Sequence, residues 1–351
     1  MMKQIRASVP AKAILFGEHF VVYGKRALAT AINRRLMVVV SNRAGRGYHV
    51  KIDNIPTFGL QMVLGHEHRM AYPYKDFDNA SKSIAYVRKA IEYLETEYGI
   101  GGQGVEIEIS SEIPLAAGLG SSAATCVATI AALKHYFSLD SDLEGIREDA
   151  HSVEKAVQGN ASPVDTAIST YGDYVQIERA KVRRLQLPEL DLIIGTIGCI
   201  PLSMDINKSS EFSLKTKKIV EEVKVRKESF ETVFKYIFDA ADELTAHALR
   251  AMERGDFAML GALMNINHGL LDAIGVVPRR LSELVKQSQE LGALGAKVTG
   301  AGGLDNMGGV GSVLVLPGEA GDRIKVAMEV AGALVKGAKT GEAGLKIERI
   351  G

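Results

Sequence analysis

Apolar and polar positions alternate from the first residues of the chain. Ile5–Val9, Ala13–Phe16 and Arg35–Val40 are short apolar-rich runs with turn chemistry between them, and each is predicted to be a strand. Ser41–Asn79 shows no clear period and reads as hairpins and loops. The spacing then changes: Ile84, Val87, Ile91 and Leu94 recur at helical intervals, which predicts a helix over Ser81–Tyr98. Val105–Ser110 alternates as a strand, and Ser122–Tyr136 follows as an apolar helix. Another helix runs from about Asp142 to Gln158 and stops at Gly159. Ser162-Pro163 opens the next, since Ser suits the N-cap and Pro the first helical position.

The texture changes near Leu187. The apolar strand Leu192–Gly195 leads through the polar, irregular Gly198–Lys215 into several amphipathic helices. Strands are predicted again at Lys297–Thr299, Ser312–Leu316 and Leu345–Ile350, with a helix over Asp322–Leu334 between the last two. Strands alternating with helices in both halves predict an α+β protein. At 351 residues the chain exceeds the usual size of one core, so two domains are expected, residues 1–185 and 186–351.

Composition narrows the classes of function. Lys plus Arg and Asp plus Glu balance at 42 each, so no net field draws the chain to nucleic acid. No run approaches roughly twenty apolar residues, which argues against a membrane span. The start, Met-Met-Lys-Gln-Ile-Arg, has no apolar leader pattern, so a cytoplasmic location is expected. With two cysteines, Cys126 and Cys199, neither a disulfide framework nor a Cys-based zinc site is expected. Glycine is the informative excess: many of the 36 glycines bunch in two short stretches, where backbone must come close to a ligand.

The first bunch lies in Ile113-Pro114-Leu115-Ala116-Ala117-Gly118-Leu119-Gly120-Ser121-Ser122-Ala123-Ala124. It follows a strand and opens a helix, where unpaired N–H groups and the helix dipole favour a bound anion. Gly118 and Gly120 remove side chains that would block phosphate oxygens, and Ser121 and Ser122 add hydroxyls for phosphate or Mg²⁺. Neither a Walker A sequence nor a dinucleotide Gly-x-Gly-x-x-Gly is present. On spacing alone, a tight turn with a Ser cap explains the segment equally well.

Its companions shift that balance. Lys12 stands inside an otherwise apolar strand, a costly place for a cation without a partner, and Glu18 and His19 follow the Gly17 turn. Lys12 is either aimed at phosphate or a carboxylate, or is an edge-strand lysine with its head in water. Glu154 lies on the helix that carries His151, and with a Ser hydroxyl it offers the hard oxygen ligands that Mg²⁺ takes. Asp165 occupies the N3 place of a capping box in Ser162-Pro163-Val164-Asp165. A helix N-terminus also keeps that carboxylate ionised and able to accept a proton, so the two roles are compatible. His19 is open between a substrate contact and a structural role; His268 reads as structural.

Together these residues resemble the GHMP kinase superfamily, and within it the mevalonate kinases of archaeal type. Three motifs carry the likeness: Pro10–Gly24 with its Gly-Glu-His and Val-Val-x-Gly, the Gly118–Ala124 loop, and Lys297–Gly303. The resemblance implies an N-terminal left-handed β-α-β domain, like domain 2 of ribosomal protein S5, and a ferredoxin-like C-terminal domain, with ATP between them. It implies direct in-line phosphorylation of the C5 hydroxyl of mevalonate, with Mg²⁺ and in a protein that is often a homodimer. Carried onto this chain, Asp165 matches the catalytic base and Lys12 the residue that orients it. Pro114–Ala124 matches the ATP loop, and Ser122 and Glu154 match the Mg²⁺ ligands. Glu18, His19, Thr299 and Gly300 lie where substrate is expected.

The chain departs from the family pattern in two places. Leu304–Val310 interrupts the third glycine motif, and the longer Cys199–Thr216 stands where a short Ser-Ser-Thr turn is usual. A phosphomevalonate, homoserine or mevalonate 3-kinase is the competing enzyme reading. A sensor that binds ATP and a metabolite without catalysis is the competing reading of another class.

Overall fold

The computed structural model describes residues 4–52, 60–64, 70–71, 77–113, 117–159, 161–179, 181–198 and 209–350. Strands β1 (Gln4–Phe16) and β2 (Ala27–Arg43) form a long antiparallel pair. The two predicted runs Ile5–Val9 and Ala13–Phe16 are therefore one strand. The register shifts between Pro10 and Ala11, and Pro10 supplies no N–H to the ladder. A single 3₁₀ turn, Phe20–Tyr23, joins β1 to β2.

The first sheet continues through β3 (Gly47–Ile52), β4 (Leu60–Leu64), β5 (Met70–Ala71) and, after helix α1 (Phe77–Tyr98), β6 (Gly104–Ser111). Strands β3 and β6 run parallel, so the chain between them crosses over through α1. Helices α2 (Ser121–Tyr136), α3 (Leu143–Gln158) and α4 (Pro163–Tyr171) come next, then the hairpin β7 (Tyr174–Glu178) and β8 (Lys181–Leu185), which pairs with β2. Helix α2 has no charged residue before Lys134, packs on β1 and β2 and is flanked by α1, α3 and α4. It is buried almost all round, as an apolar helix at the centre of a domain must be.

The second sheet begins with β9 (Asp191–Ile197). Helices α5 (Ser209–Ser229), α6 (Glu231–Arg254), α7 (Phe257–Ala273) and α8 (Arg279–Glu290) precede β10 (Gly295–Thr299) and β11 (Gly311–Leu316), and α9 (Gly321–Val330) precedes β12 (Leu334–Lys339). The order β10-β11-β9-β12, all antiparallel, with helices on the two crossovers, is the ferredoxin-like arrangement. The helix predicted over Asp322–Leu334 ends at Val330, and Gly332, at φ +83°, turns the chain into β12. The last strand, β13 (Lys346–Ile350), leaves this sheet and pairs antiparallel with β1, from Gln4 opposite Ile350 to Ser8 opposite Lys346. Residues 186–351 thus do not all lie with the second sheet.

The segments entering and leaving the second sheet run side by side. Thr340 N donates to Leu190 O at 3.1 Å, Leu190 N donates to Thr340 Oγ1 at 2.7 Å, and Tyr174 donates to Pro188 O. The domains also share a core. Phe20, fully buried, packs edge-on against Phe238 of α6 with ring centroids 5.3 Å apart, and Lys25 and Arg26 pair with Asp239 and Asp242. No described helix is long and apolar enough to cross a membrane.

Candidate active site

The first glycine turn delivers the chain into α2 at Gly120, at φ +80°, and among the described residues no side chain caps the helix. The first-turn N–H groups therefore lack intrahelical partners, and no acidic residue stands in that turn. Lys12 on β1 runs beneath the turn: its N–H donates to Leu119 O at 3.0 Å, and a Cβ on Gly120 would stand 2.7 Å from Lys12 Cγ. Glycine at 120 is thus required both by φ and by the passing lysine stem. Pro114, Leu115 and Ala116 of the predicted loop lie outside the described residues; Ala117, Ala123 and Ala124 are buried, Gly118 is exposed, and Ser121 and Ser122 are partly exposed.

Lys12, 4% exposed, pairs its ammonium with Asp165 Oδ1 at 3.0 Å. That answers the question of a cation in an apolar strand: its partner is a carboxylate at the start of α4. Ser162 caps α4 through Val164 N, and Pro163 fills the first helical position. Asp165 is the open member of the pair, with 24% of its side chain exposed against 5% for Lys12.

Across from it, Ser122 donates to Glu154 Oε1 at 2.9 Å. Glu154 is 2% exposed, and its Oε2 is buried without a hydrogen-bond partner among the described residues. Burial, with the nearby Asp165 charge adding, pushes the Glu154 carboxyl up to about 8. A buried carboxylate oxygen with no donor, beside a serine hydroxyl, is a set of hard oxygens short of a cation. The described residues contain no group of three His, Cys, Asp or Glu that would hold a metal alone. Two protein oxygens suit a cation that draws its remaining ligands from phosphates and water.

Glu18, His19, Thr299 and Gly300 meet at the joint between the domains. Glu18 is fully buried and paired with Lys297 of β10, also fully buried, while Asn267 of α7 donates to Glu18 Oε2 at 3.3 Å. Thr299 Oγ1 donates to Ile14 O at 2.9 Å. His19, at φ +59°, donates from Nε2 to Ala301 O at 3.0 Å, and burial holds its imidazole below the ordinary value, so it is neutral near pH 7. Gly300, at φ +70°, packs on Gly118, where a Cβ would meet Gly118 O at 3.0 Å. The two glycine turns are therefore in contact, one from each domain. Glu18 and Thr299 spend their polar groups within the chain rather than on an open face.

Three residues of this region carry weight that the sequence reading did not give them. Lys297 is a cation in the apolar strand Gly-Ala-Lys-Val-Thr, the same signal that singled out Lys12. Asn267 gave no such signal. Gln158, four residues after Glu154 and so one turn further along α3, places its amide 3.2 Å from both Ser122 Oγ and Glu154 Oε1. The interrupted glycine motif also finds a use: Asp305 Oδ1 accepts from Arg279 N at 3.0 Å and caps α8, while Leu304 and Val310 are buried. Of Cys199–Thr216, residues 199–208 lie outside the described residues, and α5 begins at Ser209.

Residues 85–173 match the family model of the GHMP kinases N terminal domain, and residues 248–327 that of the GHMP kinases C terminal domain. The mevalonate kinase of Thermococcus gammatolerans is 36% identical over 352 aligned positions, covering 99% of both chains. That of Pyrococcus horikoshii is also 36% identical, covering 100% of this chain and 99% of its own. Among solved structures, the Methanococcus jannaschii mevalonate kinase superposes with a TM-score of 0.76 at 26% identity, over 95% of this chain and 98% of that one. The L. major mevalonate kinase in complex with R-mevalonate shares the fold, with a TM-score of 0.75 at 23% identity over 96% of each chain.

Proposed function

The chain belongs to the GHMP kinases, and within them to the mevalonate kinases of archaeal type, and we propose that it transfers the γ-phosphoryl group of ATP to the C5 hydroxyl of (R)-mevalonate. The observation that carries the reading is the Lys12–Asp165 pair, buried on the lysine side and open on the aspartate side, beside a glycine turn that leads into an uncapped helix.

Phosphoryl transfer through a loose transition state asks mainly for positioning and charge neutralisation. The free N–H groups at the start of α2 receive the phosphates of the nucleotide. Ser122 and Glu154 would hold Mg²⁺, which when bound neutralises charge on the β- and γ-phosphates. Lys12 fixes the orientation of Asp165 through their ion pair, and its cation lies close to the charge that develops on the transferring group. Asp165, the exposed partner, accepts the proton of the substrate hydroxyl. Contact between the Gly118 and Gly300 turns narrows the cleft from both domains, and Glu18 and His19 hold the second turn in place.

The test is ADP release measured against a panel of mevalonate, phosphomevalonate and homoserine, for the parent and for Asp165→Asn. Turnover with mevalonate alone is expected, reduced about a hundred-fold or more in the variant, with nucleotide affinity retained. Turnover of another alcohol only would overturn the substrate, absence of ADP with every alcohol would overturn catalysis, and a fully active variant would overturn the base.

A further inference from the structure

Gln158 sits at the C-terminal end of α3, one turn beyond Glu154. Its Nε2 lies 3.0 Å from Tyr86 Oη on α1, 3.2 Å from Ser122 Oγ on α2 and 3.2 Å from Glu154 Oε1. One amide thus gathers groups from three helices. An amide nitrogen has two hydrogens to give, so the three acceptors share them, and all three are drawn toward one point.

The arrangement has a direction. Ser122 gives its only hydrogen to Glu154 Oε1 and receives one from Gln158, with the Tyr86 hydroxyl also beside it. Among the described residues, Glu154 Oε1 takes both donated bonds and Oε2 takes none. The acceptor position that remains is Glu154 Oε2, with Ser122 Oγ held beside it. Without the amide, the Ser122–Glu154 bond alone would hold the two groups in this pose.

We propose that Gln158, anchored by Tyr86, is the positioning residue that presents Ser122 Oγ and Glu154 Oε2 as a preorganised pair to the divalent cation. The inference rests on the reading of Ser122 and Glu154 as the cation's ligands. Groups that orient metal ligands through hydrogen bonds change metal affinity by about 10- to 100-fold when removed. The amide of Gln158 is directed at Tyr86, Ser122 and Glu154, so its effect is expected to fall on the cation and not on substrate recognition.

The experiment is a Mn²⁺ titration, followed by electron paramagnetic resonance, of the full chain saturated with a non-hydrolysable ATP analogue. Gln158→Leu, which keeps a side chain of similar bulk but gives no N–H, is expected to weaken Mn²⁺ about 10-fold or more. Tyr86→Phe is expected to weaken it by a smaller factor, and KM for mevalonate is expected to stay within about two-fold in both. Gln158→His, which restores one ring N–H, is expected to recover part of the affinity. Glu154→Gln is the control for the reading beneath. If Glu154→Gln weakens Mn²⁺ and Gln158→Leu does not, the positioning role is overturned while the ligand assignment stands. If Glu154→Gln leaves Mn²⁺ affinity unchanged, the ligand assignment and this inference both fall. A Gln158→Leu variant that raises KM for mevalonate as much as it weakens Mn²⁺ would indicate general loosening and also overturns the proposal.

Discussion

Replacing Lys297 by Met strands a carboxylate in the joint between the domains. Glu18 and Lys297 are both fully buried, and among the described residues Asn267 is the only other side chain hydrogen-bonded to Glu18. Removing one partner of such a pair costs about 3–5 kcal/mol, because the remaining charge keeps its desolvation penalty and loses its compensation. Unfolding a chain of 351 residues carries an entropy of about 0.7 kcal/mol/K, so the melting temperature is expected to fall by about 4–7 °C. Removing both charges, as Glu18→Gln with Lys297→Met, is expected to recover most of that loss, since neutral groups of similar size need no mutual compensation.

The variant Glu18→Gln also carries a pH dependence. In Glu18→Gln the stranded group is Lys297. Burial already lowers its affinity for a proton, opposed by Glu18, and loss of Glu18 lets it fall further. The folded state then holds fewer protons than the unfolded one, and stability rises with pH up to about 10.5. Differential scanning calorimetry from pH 6 to 10 measures that slope. A slope of the opposite sign in Glu18→Gln, or a Lys297→Met melting temperature within a degree of the parent, would refute the reasoning.

Two other substitutions probe the site directly. Glu154→Gln is expected to lose most activity yet to melt higher than the parent in alkaline buffer without nucleotide. The raised Glu154 carboxyl makes the parent lose about 1.4 kcal/mol per pH unit between roughly 4.5 and 8, and the amide does not titrate; parallel melting curves across that range would refute this. Gly120→Ala places a methyl group against Lys12 in a left-handed turn, at a cost of about 1–2 kcal/mol, and is expected to lower kcat by displacing Lys12 from Asp165. Unchanged kcat in the Gly120→Ala enzyme would show that the lysine stem has room to move.

Much of this site was legible because its residues break local rules. Lys12 is a charge in an apolar strand, Gly118 and Gly120 stand where a helix should begin with better formers, and Ser162-Pro163 announces a helix start. The helices α1 to α4 and the strands β6, β9, β10 and β11 follow from periodicity, within a few residues at their ends. What was not legible depends on pairing across the chain. Strand β12 has five of six residues at least partly exposed and no alternation, so its identity comes from pairing with β9. The hairpin of β7 and β8 carries a polar outer strand for the same reason. Nothing local says that Lys346–Ile350 pairs with Gln4–Ser8, or that Lys297 meets Glu18, since those partners are set by the assembled domains. Gln158 was hidden differently: a glutamine near a helix end is ordinary, and its meaning appears only when three helices converge on it.

Because Leu190 and Thr340 are hydrogen-bonded neighbours and the chain then returns to β1, the ferredoxin-like unit is topologically an insertion into the first domain rather than an appendage behind it. A domain whose entry and exit lie together can be exchanged as a cassette, because a short turn bridges the gap it leaves. The joint sets the terms of that exchange. A replacement must bring its own cation to meet Glu18 and its own glycine to meet Gly118, or the first domain is left with a buried charge and an open cleft. Diversification of such a scaffold is thus most constrained along the few residues from Lys297 to Gly300 and at Phe238, Asp239 and Asp242 of α6, which meet the first domain.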